Sequence, residues 1–182
     1  MSENPFLTEN PCLTLVLGGA RSGKSAYSEA QVEQLPAPWT YIATAQAFDA
    51  EMRARIEAHR LRRKAGWVTT EAPQNLARAI CDAPAERPLL VDCLTLWLSN
   101  RLLADADLAA ERAELVAALQ ARAAPTLVVS SEVGLSIVPE NALARAFRDA
   151  AGESHQAIAR ISGRVVLTVA GYPLIVKDAT GR

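Results

Sequence analysis

The sequence predicts an α/β fold: a mostly parallel sheet flanked by helices, with at least one antiparallel strand near the C-terminus. Three observations carry that expectation. Short apolar runs of strand length alternate with longer segments of helix formers. Several of the runs place apolar residues at adjacent positions rather than at every second one, as suits strands covered on both faces. The last two runs lie too close together for a helical crossover, so they pair antiparallel.

The elements follow in order. Leu13–Leu17 (LTLVL) is a strand that stops at two glycines, and Ser22 to Leu35 is a helix ended by Pro36. Trp39–Ala43 is the second strand. Asp49 to Lys64 is a helix of strong helix formers without Gly or Pro, capped by Asp49. Trp67–Thr70 is a strand, and Pro73 opens a helix running to about Cys81. Pro88–Asp92 is a strand ending in an acid, followed by helices at Leu94–Leu103 and Leu108–Ala123. Thr126–Ser130 is a strand. Glu140–Ile161 is a helix with a break expected near Gly152, and Arg164–Ala170 and Leu174–Val176 are the closing strands.

With 182 residues the chain fits one domain large enough to hold a core without disulfides or metal. The expected division is a short flexible lead at 1–11 and a single domain at 12–182. Met1–Pro11 contains no basic residue and does not read as a signal peptide. No apolar run reaches the roughly 18 residues of a membrane span. The net charge of −1 excludes a bulk electrostatic grip on nucleic acid or an anionic membrane, so any anion site must be local. Cys12, Cys81 and Cys93 are odd in number and lack metal-ligand spacing, which suits small core residues in a reducing, cytoplasmic setting.

The strongest chemical signal is Gly18-Gly19-Ala20-Arg21-Ser22-Gly23-Lys24-Ser25, which matches G-x-x-x-x-G-K-[ST] in full, after an apolar strand and before a helix. Glycines let backbone N–H groups wrap an anion, and the positive end of the following helix adds to the attraction. Lys24 can reach the outer phosphates, and Ser25 can ligand Mg²⁺. Only three of the 19 basic residues are lysine, so a lysine here by chance is less expected than usual. The loop makes the fold P-loop NTPase-like. Asp92, at the end of an apolar strand, is the matching acid for Mg²⁺. No N-K-x-D guanine motif occurs.

The second signal is His59. The segment from Asp49 to Lys64 holds six of the 19 basic residues and makes a local positive patch. On a helix, Arg55, Arg62 and Arg63 share a face with His59, an arrangement that a polyphosphate would relieve. Cationic neighbours favour the neutral imidazole, and only the neutral ring is a nucleophile. A solvated basic face with an incidental histidine is the plainer account of the same pattern. His155 lacks such a setting and is expected at the surface or in a cap.

Together these stretches resemble the bifunctional adenosylcobinamide kinase / adenosylcobinamide-phosphate guanylyltransferase family of cobalamin biosynthesis. The resemblance rests on LVLGGARSGKS, YIATAQAFDAEMRARIEAHR, LLVDCLTLW, VVSSEVGLSIVPENALARAFRDAAG and VVLTVAGYPLIVK, spanning Leu13 to Lys177. It implies two reactions: ATP or GTP phosphorylates adenosylcobinamide, and GTP then gives GMP to adenosylcobinamide phosphate through a GMP–histidine intermediate. The intermediate falls on His59, with Lys24 catalytic beside it. The family's nucleotide contacts fall on Gly18, Gly19, Ala20, Arg21, Ser22, Gly23, Lys24 and Ser25. They continue on Ala43, Thr44 and Ala45, on Arg60, Leu61, Arg62 and Arg63, and on Glu71 and Asp92. Metal ligation falls on Ser25 and Asp92. The resemblance also implies a homotrimer; the glycine loop calls for Mg²⁺ as cofactor, and the near-neutral charge and short apolar runs give no expectation of nucleic-acid or membrane partners. The residue before His59 is Ala58, where some relatives carry a second histidine.

A P-loop kinase without guanylyltransferase activity is the alternative, and a nucleotide-dependent binding module is a third reading. Glu132, just beyond the strand Thr126–Ser130, is a candidate second acid near substrate or metal, because the carboxyl edge of a parallel sheet faces the ligand crevice.

Overall fold

A computed structural model describes residues 9–47 and 50–179. Most of the lead and the predicted cap Asp49 lie outside them. Seven strands and six helices alternate among the described residues. They are β1 (Asn10–Gly18), α1 (Lys24–Val32), β2 (Trp39–Ala43), α2 (Ala50–Arg62), β3 (Trp67–Glu71), α3 (Leu76–Asp82) and β4 (Leu89–Asp92). Then come α4 (Leu94–Leu103), α5 (Leu108–Gln120), β5 (Thr126–Ser131), α6 (Ala142–Ile161), β6 (Ser162–Val169) and β7 (Tyr172–Asp178).

The strands form one sheet in the order β3-β2-β4-β5-β1-β6-β7. Every neighbouring pair is parallel except β6–β7, as expected from their short connection. The unbroken apolar runs are explained by cover on both faces. Leu13, Leu15, Ile42, Leu89, Val91 and Val128 pack with residues of α3, α4, α5 and α6. Val16, Tyr41, Leu90, Leu127 and Val129 join Val32 of α1 in a second cluster. Each fully buried leucine of this kind contributes about 1.5–3 kcal/mol.

Several boundaries differ from expectation. β1 begins at Asn10, inside the predicted lead, because the Asn10 side-chain amide donates to Leu119 and Arg122 carbonyls at 3.0 and 2.8 Å. α1 starts at Lys24 rather than Ser22, since the preceding residues are used by the loop. α3 starts three residues beyond Pro73. α6 is capped by the Asn141 side chain and runs unbroken through Gly152, where helix geometry is kept.

The order places β5 between β1 and β4. The carboxyl ends of these three strands therefore bring the glycine loop, Glu132 and Asp92 to one edge.

Candidate active site

The cradle is built from the end of β1 and the start of α1. Gly18 and Gly23 have φ of +154° and +97°, and both are closely approached. A Cβ on Gly18 would collide with the Thr168 hydroxyl, and one on Gly23 would stand 3.1 Å from the Gly171 Cα. The turn between β6 and β7 supports the loop from below. Ser22 Oγ and Thr168 Oγ1 are 2.8 Å apart, and the Gly171 N–H donates to the Ser22 carbonyl at 2.9 Å. Gly19, Ala20 and Arg21 are exposed at the mouth. Lys24 is buried and donates to the Gly19 carbonyl at 2.6 Å, so its ammonium lies across the loop. Burial lowers its pKa, opposed by Cys93 and Asp92. Ser25 is half-buried on the first turn of α1.

Asp92 ends β4 in register with Ala43 of β2. The Tyr41 hydroxyl donates to Asp92 Oδ2 at 2.9 Å, and His59 Nδ1 stands 4.0 Å from the same oxygen. Burial, then the neighbouring Asp92 charge, raise the Tyr41 pKa, which keeps the phenol a donor. Glu29, buried on α1, completes the group: one potential ligand atom from each of Glu29, His59 and Asp92 lies within 4.8 Å of the others. Two carboxylates and the Ser25 hydroxyl are hard oxygen donors of the kind Mg²⁺ takes. Sequence reasoning missed Glu29 and Tyr41. Glu29 was open to discovery, being one helical turn beyond Ser25. Tyr41 sits in an apolar strand and carries no such signal.

α2 reaches this edge because its C-terminal end is pinned. The Arg63 guanidinium lies 3.8 Å from the Tyr41 ring centroid and donates to Thr69 Oγ1 at 3.1 Å. Just beyond, Lys64 pairs with Glu33 at 2.7 Å, and Trp67 Nε1 donates to the same carboxylate at 3.1 Å. Arg60 and Leu61 are exposed, and Arg62 closes the helix.

The remaining predicted residues line the edge more distantly. Thr44 is fully buried; its hydroxyl donates to the Cys93 carbonyl at 2.7 Å and accepts the Cys93 N–H at 2.9 Å. It thus ties β2 to the Asp92–Cys93 turn, between the half-buried Ala43 and Ala45. Glu71 pairs with Ala43 and borders a groove of about 410 Å³ with Thr70, Gln74 and Arg78. It lies four strand positions from β1, about 19 Å at the usual strand spacing. Asp92 thus stands close to both His59 and Lys24, while Glu71 is two strands from Asp92, about 10 Å, across Ala43. Cys93 is buried, and burial pushes its thiol up to about 11.

The second histidine departs from expectation. His155 is buried, not at the surface or in a cap. Its Nε2 is 2.7 Å from Ser130 Oγ, and its Nδ1 is 3.6 Å from Glu132 Oε2. Burial lowers its pKa against the opposing pull of Glu132. Glu132 Oε1 also accepts the Gly134 N–H at 2.6 Å. The polar face that α6 turns to the end of β5 could not be read from His155 alone.

Known proteins match both the fold and the sequence. The family model described as cobinamide kinase / cobinamide phosphate guanyltransferase matches residues 14–176. A Pseudomonas aeruginosa protein named bifunctional adenosylcobalamin biosynthesis protein CobP is 49 % identical, covering 90 % of this chain and 96 % of its own. A Salmonella typhimurium protein named bifunctional adenosylcobalamin biosynthesis protein CobU is 41 % identical, with 91 % and 99 % covered. In fold, the chain is similar to the flagellar accessory protein FlaH of Methanocaldococcus jannaschii, at a TM-score of 0.52 and 11 % identity over 94 % of this chain and 80 % of that one. A solved ATPase domain aligns at a TM-score of 0.52 and 10 % identity, over 96 % of this chain and 79 % of its own.

Proposed function

The chain belongs to the cobinamide kinase / cobinamide phosphate guanyltransferase family, and from that premise we propose that one sheet edge carries out both transfers. In the first, a nucleoside triphosphate phosphorylates the aminopropanol hydroxyl of adenosylcobinamide. In the second, His59 attacks the α-phosphorus of GTP, pyrophosphate leaves, and the GMP passes to adenosylcobinamide phosphate to give adenosylcobinamide-GDP. The product of the first transfer is the acceptor of the second.

The roles follow from position. The loop amides from Gly18 to Ser25 and the Lys24 ammonium hold phosphate oxygens and stabilise charge that builds in the transition state. His59 Nδ1 faces Asp92, which leaves Nε2 to reach phosphorus. Ser25 and Asp92, joined by Glu29, would hold Mg²⁺, which supplies charge neutralisation on the phosphates when bound. Arg60 on α2 and Arg63 just beyond it balance phosphate charge, while the Arg62 side chain lies outside those described. With phosphates at Lys24, the distant Glu71 stands at the base end of a bound nucleotide, and Ala43, Thr44 and Ala45 lie between.

We place the enzyme in the cytoplasm as a homotrimer. No described helix is long and apolar enough to cross a membrane. The exposed apolar side chains Tyr172, Leu174 and Val176 on the edge strand β7 support association between copies.

The observation that carries the reading is the placement of His59 beside Asp92 on the same edge as the glycine loop. Incubation with α-labelled GTP and Mg²⁺, followed by denaturation, tests it. Acid-labile, alkali-stable label on the wild-type protein, absent from His59→Ala, is the expected result. Phosphorylation of adenosylcobinamide without protein labelling would leave a kinase alone.

A further inference from the structure

The two transfers need different proton chemistry. Attack by an unprotonated imidazole releases no proton. Attack by a substrate hydroxyl does, and none of the roles assigned above supplies an acceptor. We propose that Glu132 accepts that proton in the phosphorylation step, with His155 and Ser130 as positioning residues that fix its carboxylate. The proposal rests on the reading that this chain phosphorylates a hydroxyl of adenosylcobinamide.

Three observations support it. The first is place. Ser131 pairs with Gly18, the Glu132 N–H donates to the Gly18 carbonyl at 2.9 Å, and the Ser131 N–H donates to Thr95 Oγ1 at 3.2 Å. Glu132 therefore leaves the sheet directly beside the cradle, on the strand that separates it from Asp92.

The second is restraint. One carboxylate oxygen takes the Gly134 N–H, and the other faces His155 Nδ1, whose ring is fixed in turn by Ser130. Burial favours the neutral ring, with Nδ1–H toward the carboxylate and the Ser130 hydroxyl donating to Nε2.

The third is access. A serine, a histidine and a glutamate in series also describe a hydrolase triad, but Ser130 is 0 % exposed and cannot meet a substrate. The Glu132 side chain is 21 % exposed and can. The series therefore ends on the carboxylate.

The step balances. The hydroxyl oxygen bonds to the γ-phosphorus, and the bond from that phosphorus to the β–γ bridging oxygen breaks. The nucleoside diphosphate leaves with the electron pair, and the hydroxyl proton passes to Glu132. A positioned carboxylate base contributes about 100- to 10,000-fold.

The test compares wild-type, Glu132→Gln and His155→Asn proteins for phosphorylation of adenosylcobinamide, with His59 labelling by α-labelled GTP measured on the same preparations. Glu132→Gln is expected to lower kcat for phosphorylation about 100-fold with KM for the nucleotide unchanged, so that the ratio of phosphorylation to labelling collapses. His155→Asn keeps an amide donor near the place of Nδ1 and is expected to lose only about a tenth as much. A Glu132→Gln enzyme with wild-type kcat overturns the proposal. So does a Glu132→Gln enzyme in which both activities fall together, since that is structural damage. A wild-type protein that labels His59 but phosphorylates nothing removes the kinase reading itself, and the proposal with it.

Discussion

The Tyr41 hydroxyl and the His59 imidazole converge on one oxygen, Asp92 Oδ2, at 2.9 and 4.0 Å. The Tyr41 ring also lies under Arg63, one helical turn beyond His59. One buried tyrosine thus restrains both the carboxylate and the end of the helix that carries His59. Tyr41→Phe keeps the ring and loses the hydroxyl. A hydrogen bond to a charged group is worth about 1.5–3 kcal/mol, so labelling of His59 is expected to slow at least roughly tenfold and the melting temperature to fall by several degrees. Labelling at the wild-type rate would show that Asp92 needs no such restraint.

Lys24→Ala removes the buried ammonium and leaves the backbone loop in place. Removal of one donor to a transition-state oxyanion costs about 100- to 1,000-fold. Labelling from GTP and phosphorylation of adenosylcobinamide should both fall by at least that much. An unchanged labelling rate would mean that the phosphates are held elsewhere.

Gly23→Ala places a side chain at φ +97°, 3.1 Å from the Gly171 Cα. Backbone strain of this kind costs about 1–3 kcal/mol, and relief requires the loop to move away from the β6–β7 turn. Calorimetric titration should show GTP binding at least tenfold weaker. Wild-type affinity would contradict the close approach of loop and turn.

Stability should depend on pH through His155. Burial holds its pKa below the ordinary value in the fold, so as pH falls the unfolded chain takes up the proton first. The contribution is complete above about pH 6.5 and declines below it. The thermal midpoint should fall between about pH 6.5 and 5, and the fall should be shallower in His155→Asn. Equal slopes in the two proteins would assign the acid sensitivity to other groups.

Much of this edge was legible in the residues. The glycine loop announces its own conformation, because the flanking strand and helix leave few places for it. Asp92 could be read because an acid closing an apolar run has no business in the core. His59 stood out through the arginines around it. The side chains that support these groups were not legible, since their partners are distant in sequence. Tyr41 looks like any strand aromatic until β4 is set beside β2. Glu29 looks like one more helix carboxylate. His155 reads as a surface or capping residue because nothing near it in sequence shows that α6 turns it toward the end of β5. The start of β1 at Asn10 rests in the same way on carbonyls at Leu119 and Arg122.

The Gly171–Ser22 hydrogen bond ties the β6–β7 turn, near the far end of the chain, to the glycine loop. If that loop holds GTP, whatever settles on the outer strand of the hairpin and shifts its reverse turn alters how tightly GTP is gripped. Thermodynamic reciprocity requires GTP, in return, to change the affinity of that outer strand for its occupant by an equal factor.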